Sequence, residues 1–475
     1  MLTYSFENIG SESMYEYLYQ CIKNDILQRK LKAEEKLPSK RSFAKNLGIS
    51  VITVENAYAQ LAAEGYIYSL PKKGYFVANL EKQPFPSSLA KPQELMAEKP
   101  QKEPAFYADF VSNSVALESF PFSIWTKLMR EVTETESEAA LLVDTSVAGV
   151  LKLRQALADH LYRFRGMSVE PEQIIVGAGT QYLYSVIIQL LGRQQIYAVE
   201  DPGYPRLKKI YASNEVQYCP IPMDNSGVIP DSLKACGANI LHITPSHHFP
   251  TGIVMPVSRR YELLSWASQE KERYIIEDDY DCEFRLAGKP IPALQSIDVL
   301  EKVIYINTFS KSLAPTFRIS YMVLPKHLVD RYYEKLGFYS CTVSTFEQYT
   351  LARFIAEGYF EKHINRMRTY YRKQRDALIK AIRQSPLNPY ITIQEENSGL
   401  HFLMEVATEA EDSRLIEAAK RSGIRISCVS QYYHGQPQKK KPQIIINYSG
   451  LEPAKIEGAV QRLSESLLKI IEPEA

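Results

Sequence analysis

The chain has 475 residues, of which 45% are hydrophobic and 23% charged, and its formal net charge is +1 at pH 7. This composition is typical of a globular protein and excludes a chain that is polycationic throughout, while the length exceeds that of one ordinary domain. The six cysteines form no C-x-x-C pair, the eight histidines lack metal-ligand spacing, and no apolar run is long enough to span a membrane. We therefore expect a soluble, cytoplasmic protein without a metal site.

The first eighty residues carry the spacing of a helix-turn-helix. Residues 14–31 and 51–64 repeat apolar side chains at helical intervals, and Ser39 can cap a short helix between them. Gly48 opens the tight turn before the last of these helices. Two β-rich runs then flank Pro71–Gly74, which predicts a hairpin with a basic tip, a wing beside the recognition helix. The predicted inward positions are Tyr15, Leu18, Tyr19, Ile22, Ile26 and Leu27 on the first helix, and Val54, Ala57, Tyr58 and Leu61 on the last.

Ten Lys or Arg and five Asp or Glu lie between Cys21 and Val77, a local excess of positive charge that suits contact with phosphates. One run of this chain resembles the winged helix-turn-helix of GntR-type bacterial regulators. Its sequence is LPSKRSFAKNLGISVITVENAYAQLAAEGYIYSLPKKGYFV. That family commonly has an arginine after the serine that opens the recognition helix, whereas this chain has Val51, so we expect a different base readout. The resemblance implies contacts with double-stranded promoter DNA from Ser39, Lys40, Arg41, Val51, Thr53, Asn56, Lys72, Lys73 and Gly74.

The composition changes after the hairpin. Residues 81–105 contain five prolines and several charges without an apolar period, which predicts a Pro-rich linker. From Phe106 onward, predicted strands and helices alternate as in an α/β domain. We therefore predict a mostly α-helical DNA-binding domain at 1–80, the linker, and an α/β domain at 106–475.

Two early strands of the α/β domain end in side chains that suit a ligand. A predicted strand at 174–176 leads into Gly179-Thr180-Gln181, a loop that opens a helix and is therefore a natural seat for a phosphate. The strand at 196–199 leads to Tyr204, which could stack on a flat ring, and to Arg206, which could bind a carboxylate.

A later strand end is acidic. Alternation along the end of the predicted strand at 274–277 places Asp278 and Tyr280 on one face and Asp279 on the other. An acidic cluster in this position could equally bind Mg²⁺. The sequence therefore predicts a polar site here without deciding its ligand.

Lys311 follows the predicted strand Val303–Asn307 in a turn rich in hydroxyl groups. Burial of such a lysine would lower its pKa, and the neutral amine could then attack a carbonyl to form a Schiff base. The neighbouring hydroxyls and the guanidinium of Arg318 could hold a phosphate monoester beside it.

Together these residues form the set that pyridoxal 5′-phosphate requires. Lys311 would supply the amine, Asp278 would pair with the pyridinium nitrogen, Tyr280 would face the ring hydroxyl and Tyr204 would stack on the ring. The aspartate would keep the ring nitrogen protonated, so that the ring acts as an electron sink. Phosphate contacts are predicted from Gly179, Thr180, Gln181, Thr308, Ser310 and Arg318.

The same stretches resemble the fold-type I, class I aminotransferases, which are α/β enzymes that depend on pyridoxal phosphate. The resemblance rests on the runs GAGTQ, EDPGYPR, TPSHHFPTGIVMPVSRR, YIIEDDYDCEF, IPALQSID and NTFSKSL…RISYMVLP. It implies a large lobe at about residues 150–325 and a small lobe at about 326–475, and it adds His247 to the cofactor-binding residues. Because a GntR-type reader precedes it, the chain is identified as a member of the MocR subfamily, in its GabR-like branch.

Two arginines grip the carboxylate of the effector in GabR-like proteins. One of them corresponds to Arg206, but Gln431 stands at the position of the other. The final predicted strand, QIIINYSG, also lacks the C-terminal arginine of aminotransferases and has Asn447 and Tyr448 there. Both departures count against GABA as the effector and against ordinary α-amino-acid transamination.

These observations lead to one hypothesis and two alternatives. The hypothesis is a pyridoxal-phosphate-dependent transcription regulator in which an amino-compound effector forms an aldimine with the cofactor and changes promoter binding or activation. The resemblance also implies a head-to-tail homodimer. The alternatives are a regulator that senses pyridoxal phosphate itself to control vitamin B6 synthesis, and an active aminotransferase that carries a DNA-binding module.

Overall fold

A computed structural model describes residues 2–6, 13–80, 106–112, 120–143, 146–286, 288, 291–397, 399–435 and 441–472. The chain divides into two compact units, Met1–Lys102 and Glu103–Ala475. The predicted linker at 81–105, inside which this division falls, lies outside the described residues.

The first unit contains three helices followed by a β-hairpin. Ser39 and Ser50 cap the second and third helices, because each side-chain oxygen accepts a hydrogen bond from the backbone amide three residues later, at 3.2 and 3.0 Å. Between these helices Gly48 has a φ of +67°, a left-handed conformation that glycine adopts without strain and that turns the chain. The elements are α1 (Met14–Leu27), α2 (Lys40–Leu47), α3 (Val51–Ala63), β1 (Ile67–Leu70) and β2 (Gly74–Val77).

The core of the first unit follows the predicted apolar faces with two exceptions. Tyr15 and Leu27 are 36% and 41% exposed, because they lie in the first and last turns of α1, at the margins of its apolar stripe. The helix also ends earlier than predicted, since Arg29 has a φ of +58° and turns the chain, so that Leu31 enters the core from outside the helix. The predicted residues that are buried are Leu18, Tyr19, Ile22, Ile26, Val54, Ala57, Tyr58 and Leu61.

The hairpin pairs β1 and β2 antiparallel, with Ile67 opposite Val77 and Leu70 opposite Gly74. Its tip therefore holds Lys72 and Lys73, both exposed. This confirms the predicted winged helix-turn-helix.

The second unit begins with mixed helices and strands that lead into a large sheet. Its first elements are β3 (Ala108–Asp109), α4 (Phe122–Thr135), α5 (Glu138–Leu142), α6 (Leu151–Arg165), β4 (Ile174–Gly177), α7 (Thr180–Leu191), β5 (Tyr197–Asp201), α8 (Pro205–Ser213), β6 (Tyr218–Asp224), β7 (Gly227–Val228), α9 (Pro230–Cys236), β8 (Ile240–Ile243), α10 (Val257–Ser268) and β9 (Tyr274–Asp278). The remaining ones are β10 (Val303–Thr308), β11 (Ser320–Val323), α11 (Lys326–Leu336), α12 (Thr345–Ala356), α13 (Tyr359–Gln384), β12 (Ile391–Gln394), β13 (His401–Val406), α14 (Asp412–Arg421), β14 (Ile424–Arg425), β15 (Ser427–Cys428), β16 (Gln443–Asn447) and α15 (Ile456–Ile471).

The large sheet has eight strands in the order β4-β11-β10-β9-β8-β5-β6-β7. The five strands from β10 to β6 run parallel, and β11 is antiparallel to both of its neighbours. Ile304 and Ile306 of β10 pack with α7 and α11 on one face, while Val303 and Tyr305 belong to the clusters of the other face. Because side chains pack on both faces of the sheet, its strands have continuously apolar sequences.

Two smaller sheets follow in the C-terminal part. One has four antiparallel strands in the order β12-β13-β16-β15, and the other pairs β14 in parallel with β3. The pairing of β14 with β3 joins residues more than 300 positions apart in sequence, since Arg425 lies opposite Asp109. The described architecture is the predicted α/β class.

A buried ion pair lies where α6 meets the end of β9. The guanidinium of Arg165 lies 2.6 Å from the carboxylate of Asp279, and both side chains are 1% exposed. The same guanidinium donates to the Ser246 hydroxyl at 3.0 Å, and the Tyr305 hydroxyl donates to Asp279 at 2.7 Å. Asp279 therefore faces away from the side of the strand that carries Asp278.

Replacing Arg165 with methionine would leave the Asp279 carboxylate buried without its counter-charge. We expect the free energy of unfolding to fall by about 3–5 kcal/mol. The matched control is Lys152→Ala, which breaks an ion pair with Glu136 in which the lysine side chain is 59% exposed and should cost about 1 kcal/mol or less. Equal losses in denaturant unfolding of the two variants would contradict the assignment.

Candidate functional site

A cavity of about 600 Å³ opens at the carboxyl edge of the large sheet. Its walls come from the residues that follow β5, β8, β9 and β10 and from the first turn of α7, since the carboxyl ends of parallel strands meet at one edge. The predicted site residues that line it are Thr180, Gln181, Tyr204, Arg206, Asp278, Tyr280, Thr308, Ser310, Lys311 and Arg318.

Asp278 has two differently used carboxylate oxygens. Its Oδ2 accepts a hydrogen bond from the Tyr184 hydroxyl and lies 3.7 Å from His242 Nε2. His242 is held in turn by the Tyr211 hydroxyl, 2.8 Å from its Nδ1. The Oδ1 is buried and has no hydrogen-bond partner among the described residues. Asp278 is therefore fixed from behind and keeps one oxygen for a group in the cavity.

Lys311 lies in the turn after β10, on the cavity wall. Burial lowers the pKa of its amine to about 8, the nearby charge of Arg206 lowers it as well, and Asp281 opposes them. A substantial fraction of this amine is neutral near pH 8, which is the form that attacks carbonyl groups.

Hydroxyl and amide groups beside Lys311 are tied together. Thr308 Oγ1 lies 2.9 Å from the Ser310 hydroxyl, accepts from the Ser310 amide at 3.2 Å and accepts from the Ser320 hydroxyl at 2.8 Å. Arg318, with a φ of +54°, brings its guanidinium against Gly179. Gly179 has a φ of +89°, a left-handed conformation that favours glycine, and a Cβ there would lie 2.5 Å from a guanidinium nitrogen. The arginine, the hydroxyls and the helix N-terminus together form an anion cradle.

Tyr280 lines the cavity and pairs with His247, which does not line it. The Tyr280 hydroxyl lies 3.2 Å from His247 Nδ1, and the same nitrogen lies 2.8 Å from the Asp281 carboxylate. Burial raises the pKa of Tyr280 well above its ordinary value, and so do the charges of Asp281 and Asp278. The phenol thus keeps its proton. His247 was predicted to touch the cofactor, but it does not line the cavity and instead orients Tyr280.

Two segments meet beside the cavity, the loop that follows β5 and residues 429–434. Tyr204 packs edge-on against Phe249, and Phe249 packs edge-on against Tyr432 at 5.1 Å between ring centroids. The Gly203 amide donates to the Tyr432 carbonyl at 3.1 Å, and the His434 amide donates to the Asp201 carboxylate at 2.9 Å. The segment around 429–434 is thereby held beside the end of β5.

The structure does not bring Gln431 to the cavity. Its side chain is turned back, with Oε1 accepting from the Cys428 amide at 3.1 Å, because the segment forms a short 3-10 turn. Arg425 lines the cavity instead. One of its guanidinium nitrogens lies 3.4 Å from Asp109, a carboxylate whose other oxygen accepts from the Val111 and Ser112 amides.

Several cavity residues were not predicted from the sequence. Arg425 carries no strand-end signal, because it comes from a two-residue strand whose partner is β3. Tyr184 lies inside α7, where its sequence position is typical of a core residue. His242 lies inside β8 and not at its end. Glu200 had a detectable signal, since it stands at the carboxyl end of β5 like the residues that were selected. Among the missed residues that line the cavity are Tyr184, Glu200, His242, Arg425, Tyr432 and His434.

The acidic cluster after β9 does not form a metal site. Asp279 pairs with Arg165, and Asp281 pairs with His247, so the carboxylates point to different partners. Within the part of the chain that the structure describes, no group of three His, Cys, Asp or Glu side chains could hold a metal ion. The Mg²⁺ alternative therefore finds no support here.

The predicted DNA-binding residues of the first unit are mostly exposed. Lys40 and Thr53 already have partners, since the Lys40 amine lies 2.6 Å from Glu55 and the Thr53 hydroxyl lies 2.8 Å from Ser50. Ile52, which was not predicted, is 68% exposed beside Val51 in the first turn of α3. The other predicted residues, all exposed apart from half-buried Gly74, are Ser39, Arg41, Val51, Asn56, Lys72, Lys73 and Gly74.

Each of the two units matches a known protein family. Residues 14–77 match the family of bacterial regulatory proteins, gntR family, and residues 118–463 match aminotransferase class I and II. The chain belongs to the MocR subfamily of GntR-type transcription regulators. Within the described ranges, every helix is too short or too polar to cross a bilayer.

Individual relatives share this arrangement over almost the whole chain. The HTH-type transcriptional regulator YdeL of Bacillus subtilis is 40% identical over 95% of this chain and 96% of its own length. The probable rhizopine catabolism regulatory protein MocR of Rhizobium meliloti is 30% identical, over 96% of this chain and 94% of its own length. Among solved structures, the kynurenine aminotransferase of Pyrococcus horikoshii is 26% identical with a TM-score of 0.68, over 78% of this chain and 92% of that one.

The aminotransferase fold of the MocR-type chain implies dependence on pyridoxal 5′-phosphate, and the cavity residues fit that group. A buried, unpartnered carboxylate oxygen of Asp278 suits a protonated ring nitrogen. The amine of Lys311, with its lowered pKa, suits an aldehyde. The cradle of Gly179 and Arg318 suits a phosphate. All three lie on or beside one cavity.

Lys311 should be distinguishable by its reactivity with an amine reagent. In the cofactor-free protein we expect competitive acetylation of Lys311, followed by peptide mass spectrometry, to reach half of its maximum near pH 8, because the protonated amine does not react at lower pH. Arg206→Met should raise this midpoint and Asp281→Asn should lower it, since the two charges act in opposite directions. A midpoint at about 10.4, the ordinary lysine value, would contradict the burial of the amine.

Proposed function

We propose that this transcription regulator holds pyridoxal 5′-phosphate in the cavity and changes its binding to promoter DNA when an amino compound enters beside the cofactor. The single observation that supports this most is that Lys311, Arg206 and Asp278, with its unpartnered oxygen, line one cavity in a chain that also carries a winged helix-turn-helix. Such a regulator would act in the cytoplasm, where promoter DNA lies.

The cofactor would be held by side chains that line the cavity. Asp278 would accept from the ring nitrogen, Tyr280 would donate to the ring oxygen and Tyr204 would cover the ring face. When bound, pyridoxal phosphate supplies an aldehyde carbon that can be linked to one amine at a time. The phosphate would be bound by the anion cradle, whose members are Gly179, Thr180, Gln181, Thr308, Ser310 and Arg318.

The chain's own residues then allow amine exchange. Lys311, whose pKa is lowered to about 8, would offer a neutral amine that can bond to the aldehyde carbon and can be displaced from it by another amine. His247 keeps the Tyr280 phenol oriented towards the cavity. An effector amine would therefore meet an oriented site, and the released Lys311 amine would take up a proton.

Arg206 and Arg425 support an effector that also carries a carboxylate. Both line the cavity, and Arg425 offers a second guanidinium although Gln431 occupies the position expected for one. Arg425 also pairs with Asp109 at 3.4 Å, and its side chain is 37% exposed. Two guanidinium groups at one mouth favour an anionic end group on the effector.

The DNA side of the proposal rests on the exposed surface of α2, α3 and the hairpin. Arg41, Lys72 and Lys73 would contact phosphates, while Asn56 and the apolar pair of Val51 and Ile52 would face base edges and thymine methyl groups. A head-to-tail homodimer, as the subfamily resemblance implies, would carry two such readers and bind two spaced half-sites.

Arg41→Ala should weaken DNA binding without changing the cofactor site. With a fragment selected by the wild-type protein from a random library, we expect fluorescence anisotropy to give weaker binding and a salt slope reduced by about 1, because one phosphate contact is lost. Lys152→Ala, a charge-matched change in the second unit, should bind like wild type. Unaltered affinity for Arg41→Ala would overturn the assignment of the reader surface.

A titration with amino acids, GABA and small peptides tests the effector site. We expect one compound to shift the visible absorption of the cofactor-loaded protein stably and to change its DNA affinity. Arg206→Ala and Arg425→Ala should each raise the Kd of that compound about tenfold or more, because a charge-assisted hydrogen bond is lost.

Gln431→Ala is the matched control and should leave that Kd unchanged, since the Gln431 side chain bonds to the Cys428 amide and not to the cavity. The reverse pattern would contradict the effector site. Bleaching with release of a keto acid would favour the aminotransferase alternative. A change in DNA affinity on adding pyridoxal phosphate alone would favour the vitamin B6 sensor.

A further inference from the structure

Glu200 is a buried carboxyl group on the cavity wall that has no role in the function proposed above. It stands in β5, one residue before the strand ends, and its side chain is 8% exposed. It lines the same cavity as Asp278 and Lys311. A carboxyl group in such a position must be either paired or protonated.

The protein holds only one of the two oxygens of Glu200. The Oε2 accepts from the Thr244 amide at 3.0 Å and from the Thr244 hydroxyl at 2.7 Å, and His248 Nε2 lies 3.4 Å from it. The Oε1 is buried and has no hydrogen-bond partner among the described residues. Oε1 is therefore the oxygen of Glu200 that the described protein leaves unsatisfied beside the cavity.

The groups around Glu200 favour its protonated form. Burial raises the pKa of its carboxyl to about 8, Thr244 opposes this, and the charge of Asp278 adds to it. Burial lowers the pKa of His248 to about 3, so that this histidine provides no positive charge near neutral pH. Glu200 also acts on Tyr280, whose pKa it helps to raise.

We propose that Glu200 is a cofactor-binding residue that carries its proton on Oε1 and donates a hydrogen bond to an acceptor atom of bound pyridoxal phosphate. The assignment rests on the proposed cofactor site. The bonds from Thr244 fix Oε2 as the acceptor, which leaves Oε1 as the O–H donor. Glu200 lines the same cavity as Asp278 and Tyr280, the two side chains that would face the ring, so the donor would lie near the ring.

An ionised Glu200 would have a different role, and substitutions would distinguish it from the protonated form. If Glu200 were ionised, it would accept a hydrogen bond from an effector ammonium group and would not help to bind the cofactor alone. Glutamine separates the two cases, because its carbonyl oxygen can accept from Thr244 while its amide N–H donates into the cavity. Alanine removes both functions.

The test measures the Kd of pyridoxal phosphate for full-length cofactor-free protein by absorbance titration. We expect E200Q to bind within about threefold of wild type and E200A to bind about tenfold more weakly, since one hydrogen bond is lost. Equal weakening in both variants, or none in E200A, would overturn the assignment of Glu200 alone. Failure of the wild-type protein itself to bind would overturn the proposed function together with this inference.

Infrared difference spectroscopy provides a measurement that does not depend on the folding of E200A. The spectrum of wild type minus E200Q near neutral pH should contain the C=O stretching band of a protonated carboxylic acid, and the band should move when pyridoxal phosphate is added. A difference spectrum that contains only carboxylate bands would overturn the proposal.

Discussion

The site depends on one constraint: every buried carboxylate at the carboxyl edge of the large sheet must have its charge neutralised or its oxygens hydrogen-bonded. Burying an ionised group without a partner is costly, so each carboxylate must find a cation, a hydrogen-bond donor or a proton. Asp279 is paired with Arg165, Asp281 with His247, and Glu277 accepts from the Leu294 and Gln295 amides. Only Asp278 and Glu200 each keep one oxygen that the described protein does not satisfy on the cavity wall.

Strand alternation divides these charges between two faces. Successive side chains of an extended chain point to opposite sides, so Asp279 enters the layer that contains Arg165 while Asp278 and Tyr280 face the cavity. The support for Asp278 is equally specific, because the Tyr184 hydroxyl donates to one of its oxygens and His242 lies 3.7 Å from the same oxygen. The cavity is therefore preorganised by groups that are themselves held in place, as a binding site for a polar ring requires.

Local patterns predicted the parts of this architecture that depend on neighbours in sequence. The Ser39 cap, the turn at Gly48, the strand ends and the position of Lys311 all follow from short-range rules. The sequence failed where a contact joins distant segments: Arg425 reaches the cavity through the pairing of β14 with β3, whereas Gln431 is turned back by its own 3-10 turn. The predicted burial of Tyr15 and Leu27 was wrong for a simpler reason. Apolar periodicity does not show where a helix extends beyond the residues that it packs against.

The positions of the two arginines suggest how an effector could act on the protein. Arg206 belongs to α8 beside the large sheet, and Arg425 belongs to the small sheet formed by β14 and β3. A carboxylate held by both would connect the two, and the bonds from Gly203 and His434 between the same regions would respond to any shift. A ligand moves such an equilibrium only by binding one arrangement better than the other. A tenfold change in DNA affinity requires a difference of about 1.4 kcal/mol, which one charge-assisted hydrogen bond made in a single arrangement can supply.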